Sequence, residues 1–353
     1  MKVKSIAGYM LILPLILSIS SCIQDSNKLA LSNPNSSVNV YRNFPEQRSG
    51  DTVIVGIAKI NKLPNGSMEY LFNERQARYT VAADRPDAAA ILKLAQAAFN
   101  GKQPLRLISE RPGTLNRLES PSATEIAVYF RQRKNDLVNP EPIRPFNFKD
   151  TDSLTFNLAT WQKWKVFRLC KKVIPDLAAA KALFTFCRQQ TCVIGPTQIQ
   201  PCIPFKYAKD GCFARAHKMR WIIEQRYGYC SEKVFSFGAL NVKATLSGDC
   251  CIDWWYHVAP VVRVMVKGIE LLYVIDPSMF TGPVPLLTWL SAQENTSCNA
   301  NADVTSYSIQ PSSAYYPVGA PPNNTYATDP NYTDTNGTLV FFAGLGQTCD
   351  NNP

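Results

Sequence analysis

The spacing of apolar residues changes several times along the chain, and each change marks an element. Ile6 to Ile19 is an apolar run behind Lys2 and Lys4, too short and too interrupted by Ser and Pro to span a bilayer, so residues 1–22 read as an export signal. Residues 23–50 are polar and rich in Asn and Ser, a tether. Order is expected from Thr52-Val53-Ile54-Val55-Gly56-Ile57-Ala58, a strand-like run. A turn at Pro64-Asn65-Gly66 joins it to a second extended run, Met68 to Val81, as a hairpin. Pro86 to Phe99 predicts a helix, with Pro86 in its first turn and Asn100-Gly101 as its stop. Leu105-Arg106-Leu107-Ile108 predicts a short strand, and Thr124 to Arg133 is ambiguous. Residues 51–134 therefore read as a small α+β domain with no reactive constellation of its own.

Pro140, Pro142 and Pro145 in polar surroundings mark residues 135–172 as a linker. Its aromatic and basic end (Trp161, Trp164, Phe167, Arg168, Lys171, Lys172) is the kind of segment proteases cut. From Val173 a second domain, residues 173–353, is expected. A helix runs from Leu177 to Phe186 with Asp176 as N-cap, and another from Cys212 to Tyr227 closed by Gly228. Strand-like runs follow at Val234 to Leu240, Trp254 to Val266 and Leu271 to Ile275. Beyond Ser297 the chain shows little periodicity until Leu339-Val340-Phe341-Phe342, so the tail is expected to be long loops pinned by Cys298 and Cys349.

Composition narrows the class. With 353 residues, 46% hydrophobic and 18% charged, the chain fits two modest globular domains. The formal charge of +10 points to nucleic acid only until it is located. Residues 173–353 hold 12 Lys+Arg against 13 Asp+Glu, so the basic excess lies wholly in the N-terminal part and is scattered there. Nucleic acid is excluded as the expected partner. Eleven cysteines suit an exported protein, while the lack of any CxxC pair and the presence of only two histidines argue against zinc. Ile19-Ser20-Ser21-Cys22 resembles a bacterial lipobox, which makes Cys22 a candidate lipidation site. The small residues Ser20 and Ser21 fit ordinary signal-peptidase cleavage as well. No later apolar stretch reaches the roughly 18 residues of a membrane span, so a membrane is met only through that lipid. The expected location is secreted or cell-envelope.

The stretch with chemical promise is Asp210-Gly211-Cys212-Phe213-Ala214-Arg215-Ala216-His217. A cysteine that opens a helix meets unpaired N–H groups and the positive end of the dipole, which favour the thiolate. A disulfide is the competing role for Cys212. A cysteine nucleophile needs a base and a group to orient it. His217 lies five positions on, about 140° round an α-helix, and is expected to be a surface or structural histidine. His257 sits in an apolar strand, where a lone histidine is usually a core residue. Asp276 ends an apolar run, and burying a carboxylate unpaired is costly; Asp276-Pro277 is also a ready turn. If the two strands are neighbours, Asp276 fixes the imidazole tautomer and the other ring nitrogen faces Cys212.

Three blocks closely resemble the bacterial protein-glutaminase family of protein-glutamine deamidases: Asp210 to Arg220, Gly248-Asp249-Cys250-Cys251 running into Tyr256-His257-Val258-Ala259, and Ile275-Asp276-Pro277-Ser278-Met279-Phe280. Val173-Ile174-Pro175-Asp176 resembles the start of the family's mature enzyme, and Glu69 to Ser122 more weakly its inhibitory propeptide. The resemblance implies a transglutaminase- and papain-like α+β core, a cysteine-headed helix packed on an antiparallel sheet. It implies Cys212 as nucleophile, His257 as general base and acid, Asp276 as orienter, and no cofactor or metal. The reaction implied is hydrolysis of protein-bound glutamine side chains to glutamate and ammonia through a thioester. The partners implied are glutamine-containing proteins or peptides, an activating protease, and the chain's own propeptide as intramolecular inhibitor. Within that propeptide, Gln76 is a candidate substrate mimic or else a solvated strand glutamine. Trp255 stands where a smaller residue is expected and is a candidate for reshaping the cleft.

Three rivals are set against this reading: a transglutaminase, a cysteine peptidase, and a non-enzymatic disulfide-braced surface lipoprotein. Cysteine parity bears on processing. With Cys22 and Cys212 set aside, a cut after Lys172 leaves eight cysteines (187, 192, 202, 230, 250, 251, 298 and 349), an even number that permits four disulfides.

Overall fold

Gly56 divides the first apolar run into two strands that belong to different sheets. Its N–H is taken not by a neighbouring strand but by the Glu74 carboxylate (2.8 Å). The computed structural model of the protein describes residues 51–138, 141–146, 171–192, 199–243 and 250–345. The apolar leader, the tether with Cys22, the aromatic-basic segment from Trp161 to Arg168, Cys170 and Cys349 lie outside the described residues.

The N-terminal part comprises β1 (Asp51–Val55), β2 (Ile57–Lys62), β3 (Met68–Phe72), β4 (Arg78–Val81), α1 (Ala88–Asn100), β5 (Leu105–Ser109), β6 (Arg117–Glu119) and α2 (Ala123–Gln132). The expected hairpin forms only beyond Gly56: β2 pairs with β3 and β3 with β4, while β1 pairs antiparallel with β5 and β5 with β6. Helix α1 buries Ile91, Ala95 and Ala98, an i, i+4, i+7 stripe, against these strands. The ambiguous segment is helical because a capping box starts it: Ser122 Oγ accepts from Glu125 N, and Glu125 Oε2 accepts from Ser122 N (2.8 Å).

The remaining described elements are β7 (Leu137–Val138), β8 (Arg144–Pro145), β9 (Val173–Ile174), α3 (Leu177–Gln189), α4 (Cys212–Tyr227), β10 (Glu232–Lys243), β11 (Cys251–Val266), β12 (Ile269–Val274), β13 (Val284–Pro285), α5 (Leu286–Ser291), β14 (Asp303–Gln310), β15 (Ala314–Pro317), β16 (Thr325–Thr328) and α6 (Thr333–Ala343). One sheet organises them in the order β13-β12-β11-β10-β14-β8, with antiparallel neighbours, and β9 adds a parallel pairing to β11. Helices α3 and α4 cover one face through Leu183, Phe184, Met219 and Ile223 against Val258, Val262 and Val264. Trp254, Val261, Val274, Trp289 and Leu290 form a separate core, to which α5 contributes. This is the α+β architecture expected, with the cysteine-headed helix on an antiparallel sheet.

Three details depart from the sequence reading. The proline-bearing segment contributes β7 and β8, which pair with β16 and β14 rather than hanging between domains. The tail is not long loops: β14 is an interior strand of the main sheet, and α6 packs on α4. The apolar pattern missed β14 because three of its four buried positions are Ser306, Ser308 and Gln310. Finally, the eight-cysteine arithmetic fails. Cys192–Cys202 and Cys251–Cys298 are bridged, and Cys230 and Cys250 are disulfide-bonded as well. Cys187 is a buried free thiol.

The seam between β10 and β14 is tight at Gly238, which takes φ +148° beside a bulge. A Cβ there would lie 2.1 Å from the backbone oxygen of Asp303. Gly238→Ala is therefore expected to destabilise the protein by on the order of 3 kcal/mol, read as a lower urea midpoint at unchanged slope; a midpoint equal to wild type would contradict this packing.

Candidate active site

The site is built where the chain enters α4. Gly211 adopts φ +78°, and a Cβ there would meet the Phe342 ring at 2.5 Å, so only glycine makes this turn. Cys212 becomes the first helical residue, with a backbone N–H that has no partner inside the helix. That N–H donates to the side-chain oxygen of Gln76 (Oε1, 2.8 Å). Gln76 lies in the loop between β3 and β4 and is fully buried. Its Nε2 donates to the carbonyl of Ala208 (3.1 Å), its backbone N–H to Asp210 Oδ1 (3.1 Å), and its carbonyl accepts from Trp255 N (3.0 Å). All four polar groups of this glutamine are held by the C-terminal part of the chain.

His257 lies midway along β11. Its Nε2 pairs with Asp276 Oδ2 at 2.8 Å, and both side chains are buried. The strands carrying them are neighbours, since Val261 faces Val274 and Ile275 N donates to Pro260 O (2.9 Å). Asp276 also accepts from Trp289 Nε1 (2.9 Å) and from Ser278 N (3.1 Å). Burial pushes its carboxyl up, but His257 and the Trp289 hydrogen bond outweigh burial and hold it below its ordinary value. Burial pulls the His257 imidazolium down, more than Asp276 lifts it, so the ring is neutral. With Asp276 ionised, the proton belongs on Nε2, and Nδ1 is left as the base. Nδ1 is buried and has no hydrogen-bond partner among the described residues. The ring stacks on Trp254 (centroids 4.3 Å apart) and lies near Trp289 (5.4 Å), which fixes its plane.

The sulfur of Cys212 is buried, and the backbone N–H of Val258, the residue after His257, is turned to it. Burial pushes the thiol well up; Arg215 opposes this, and the Asp210 carboxylate adds to it. Arg215 is itself buried, its Nη1 donating to the carbonyls of Tyr207 (2.8 Å) and Asp210 (2.6 Å). Both hydrogen bonds brace the loop that leads into Cys212.

His217 is not at the site. It is buried, with Nε2 at 3.1 Å from the Asp329 carbonyl and Nδ1 at 2.6 Å from Lys233 Nζ, so of its two expected roles the structural one holds. Burial lowers both His217 and Lys233 well below their ordinary values. Sequence reasoning assigned no role to Asp210, Arg215, Trp254 or Trp289. Asp210 and Arg215 stood within the motif itself. The two tryptophans had no local signal, because their contacts join segments distant in sequence.

With this geometry in hand, the comparisons with known proteins are specific. A family model described as "Glutaminase" matches residues 180–293. A crystal structure of pro-protein-glutaminase aligns over 86% of this chain and 96% of its own, at 28% identity and a TM-score of 0.63. A mutant of pro-protein-glutaminase aligns over 85% of this chain and 95% of its own, at 30% identity and a TM-score of 0.63. The chain belongs to the protein-glutaminase family. The match to pro forms runs through the N-terminal part, so this member carries its own propeptide. The protein-glutaminase of Chryseobacterium proteolyticum, solved by NMR, is 40% identical over 51% of this chain and 94% of its own, with a TM-score of 0.46. No curated protein matches.

The buried thiols give a direct test of the closed site. Cys212 is covered in the precursor, and Cys187 is pushed up to about 12 by burial. Iodoacetamide is expected to label neither in the native precursor and Cys212 alone after limited proteolysis removes the propeptide. Equal labelling of Cys212 before and after cleavage would contradict the burial.

Proposed function

We propose that the protein is the inactive precursor of a protein-glutamine deamidase in which Cys212, His257 and Asp276 form the catalytic triad and Gln76 of the propeptide occupies the substrate position. The observation that carries this reading is the Gln76 carboxamide, whose oxygen lies 2.8 Å from the Cys212 backbone nitrogen at the head of α4. A helix-terminal N–H aimed at a carboxamide oxygen is the arrangement that stabilises an oxyanion.

In the proposed reaction a substrate glutamine takes the place of Gln76. His257 Nδ1 removes the Cys212 proton, and the thiolate attacks the side-chain carbonyl carbon. Negative charge gathers on the oxygen held by the Cys212 N–H. The imidazolium, stabilised by Asp276, passes its proton to the departing nitrogen, and ammonia leaves a thioester on Cys212. Water then enters; His257 takes its proton as the water oxygen bonds to the thioester carbonyl carbon, the C–S bond breaks, and the proton passes from the imidazolium to the Cys212 sulfur, leaving glutamate and the thiol. Trp289 and Ser278 act on Asp276, keeping its carboxylate turned to the imidazole.

The propeptide inhibits in two ways on this reading. Its glutamine fills the cleft, and its bulk keeps water away from Cys212, whose thiol then stays protonated. Gln76 therefore remains intact in the very site that hydrolyses such groups. An activating protease, acting in the segment before Val173, opens the cleft. Export, with or without a lipid on Cys22, places the precursor where that protease acts.

Three variants test the proposal. After limited proteolysis, the wild-type protein is expected to release ammonia from a denatured protein, and Cys212→Ala to release none. Asp276→Asn is expected to lose on the order of 10⁴ in kcat. The substrate should gain only the mass of an amide-to-acid conversion. Incorporation of an added amine would instead mark a transglutaminase, and backbone fragments a peptidase. In the uncleaved precursor, Gln76→Ala is expected to raise residual ammonia release, because the cleft is then no longer filled by a carboxamide; unchanged inhibition would contradict the assigned role of Gln76.

A further inference from the structure

The propeptide loop fills more than the glutamine position. Arg75, immediately before Gln76, is also buried. Its Nε lies 3.7 Å from Asp210 Oδ2, and its guanidinium stands over the Phe342 ring at 5.7 Å. Asp210 is fully buried, and its other oxygen accepts from Gly211 N (2.7 Å) and from Gln76 N (3.1 Å). The Arg75 carbonyl accepts from the indole Nε1 of Trp255 (2.7 Å), and the Gln76 carbonyl from the Trp255 backbone (3.0 Å). Asp210, Trp255 and Phe342 all belong to the C-terminal part and stay with it when the propeptide leaves. A buried carboxylate and an aromatic face are then left lining the cleft beside the oxyanion donor, and a cation satisfies both.

We propose that the mature cleft has a cation subsite, formed by the Asp210 carboxylate and the Phe342 ring, that selects glutamines directly preceded by arginine or lysine. Trp255 sets the register by holding the carbonyls of both residues, so the side chain before the glutamine falls between Asp210 and Phe342. The preferred substrates are exposed protein loops with an Arg-Gln or Lys-Gln step, like the loop between β3 and β4. This inference rests on the glutaminase reading and adds the substrate class.

The test uses the precursor activated by limited proteolysis and four peptides identical except for the residue before a single glutamine: arginine, citrulline, alanine or glutamate. Citrulline keeps the shape of arginine and removes its charge. The arginine peptide is expected to exceed citrulline in kcat/KM about tenfold, the effect of one charge-assisted contact, with glutamate slowest. Phe342→Leu is expected to shrink the arginine-to-citrulline ratio, a comparison in which any general loss of activity cancels. Equal kcat/KM for arginine and citrulline would overturn the subsite while leaving the glutaminase reading intact. Failure to release ammonia from all four peptides and from a denatured protein would overturn both.

Discussion

The hydrogen bond from the Cys212 backbone to Gln76 Oε1 is the contact on which the site depends. It exists because Gly211 turns the chain through a left-handed conformation and delivers a cysteine as the first residue of a helix. The loop before it is held by Arg215 on the Tyr207 and Asp210 carbonyls, and the Ala208 carbonyl accepts from both Trp254 Nε1 and Gln76 Nε2. Donor and acceptor for a carboxamide are thus fixed on two ends of one braced segment. A primary amide, with one oxygen and one NH₂, matches that pair.

The sheet supplies the second half of the chemistry. A histidine in the middle of β11 and a carboxylate just past β12 meet because those strands are antiparallel neighbours. Trp254 and Trp289 surround the imidazole with an apolar setting, which keeps it neutral, and the carboxylate it touches remains charged. Such opposed environments assign a tautomer without any further partner. The same burial raises the cysteine thiol while the propeptide loop is in place.

Much of this was legible in the sequence, for identifiable reasons. The helix from Cys212 to Tyr227 carried a glycine at each end, and its observed bounds coincide with the expected ones. The antiparallel strands around His257 and Asp276 carried long apolar runs. Where apolar periodicity failed, so did the reading: β14 presents Ser306, Ser308 and Gln310 inward, and α6 has Asn336-Gly337 in its centre. Counting cysteines misled because Cys187 is buried as an ordinary small apolar side chain. Gln76 was indistinguishable from a solvated glutamine, since every polar group of it is satisfied by residues more than a hundred positions away.

The account's central claim is that one cleft is first closed by its own glutamine and then opened to others. It is tested most directly by following ammonia release from a denatured protein while the precursor is being cleaved, sampling both in the same tube. The account predicts no release at the start and a rate that rises in proportion to the cleaved fraction. A rate that is already full in the intact precursor, or that stays at zero once cleavage is complete, would contradict it.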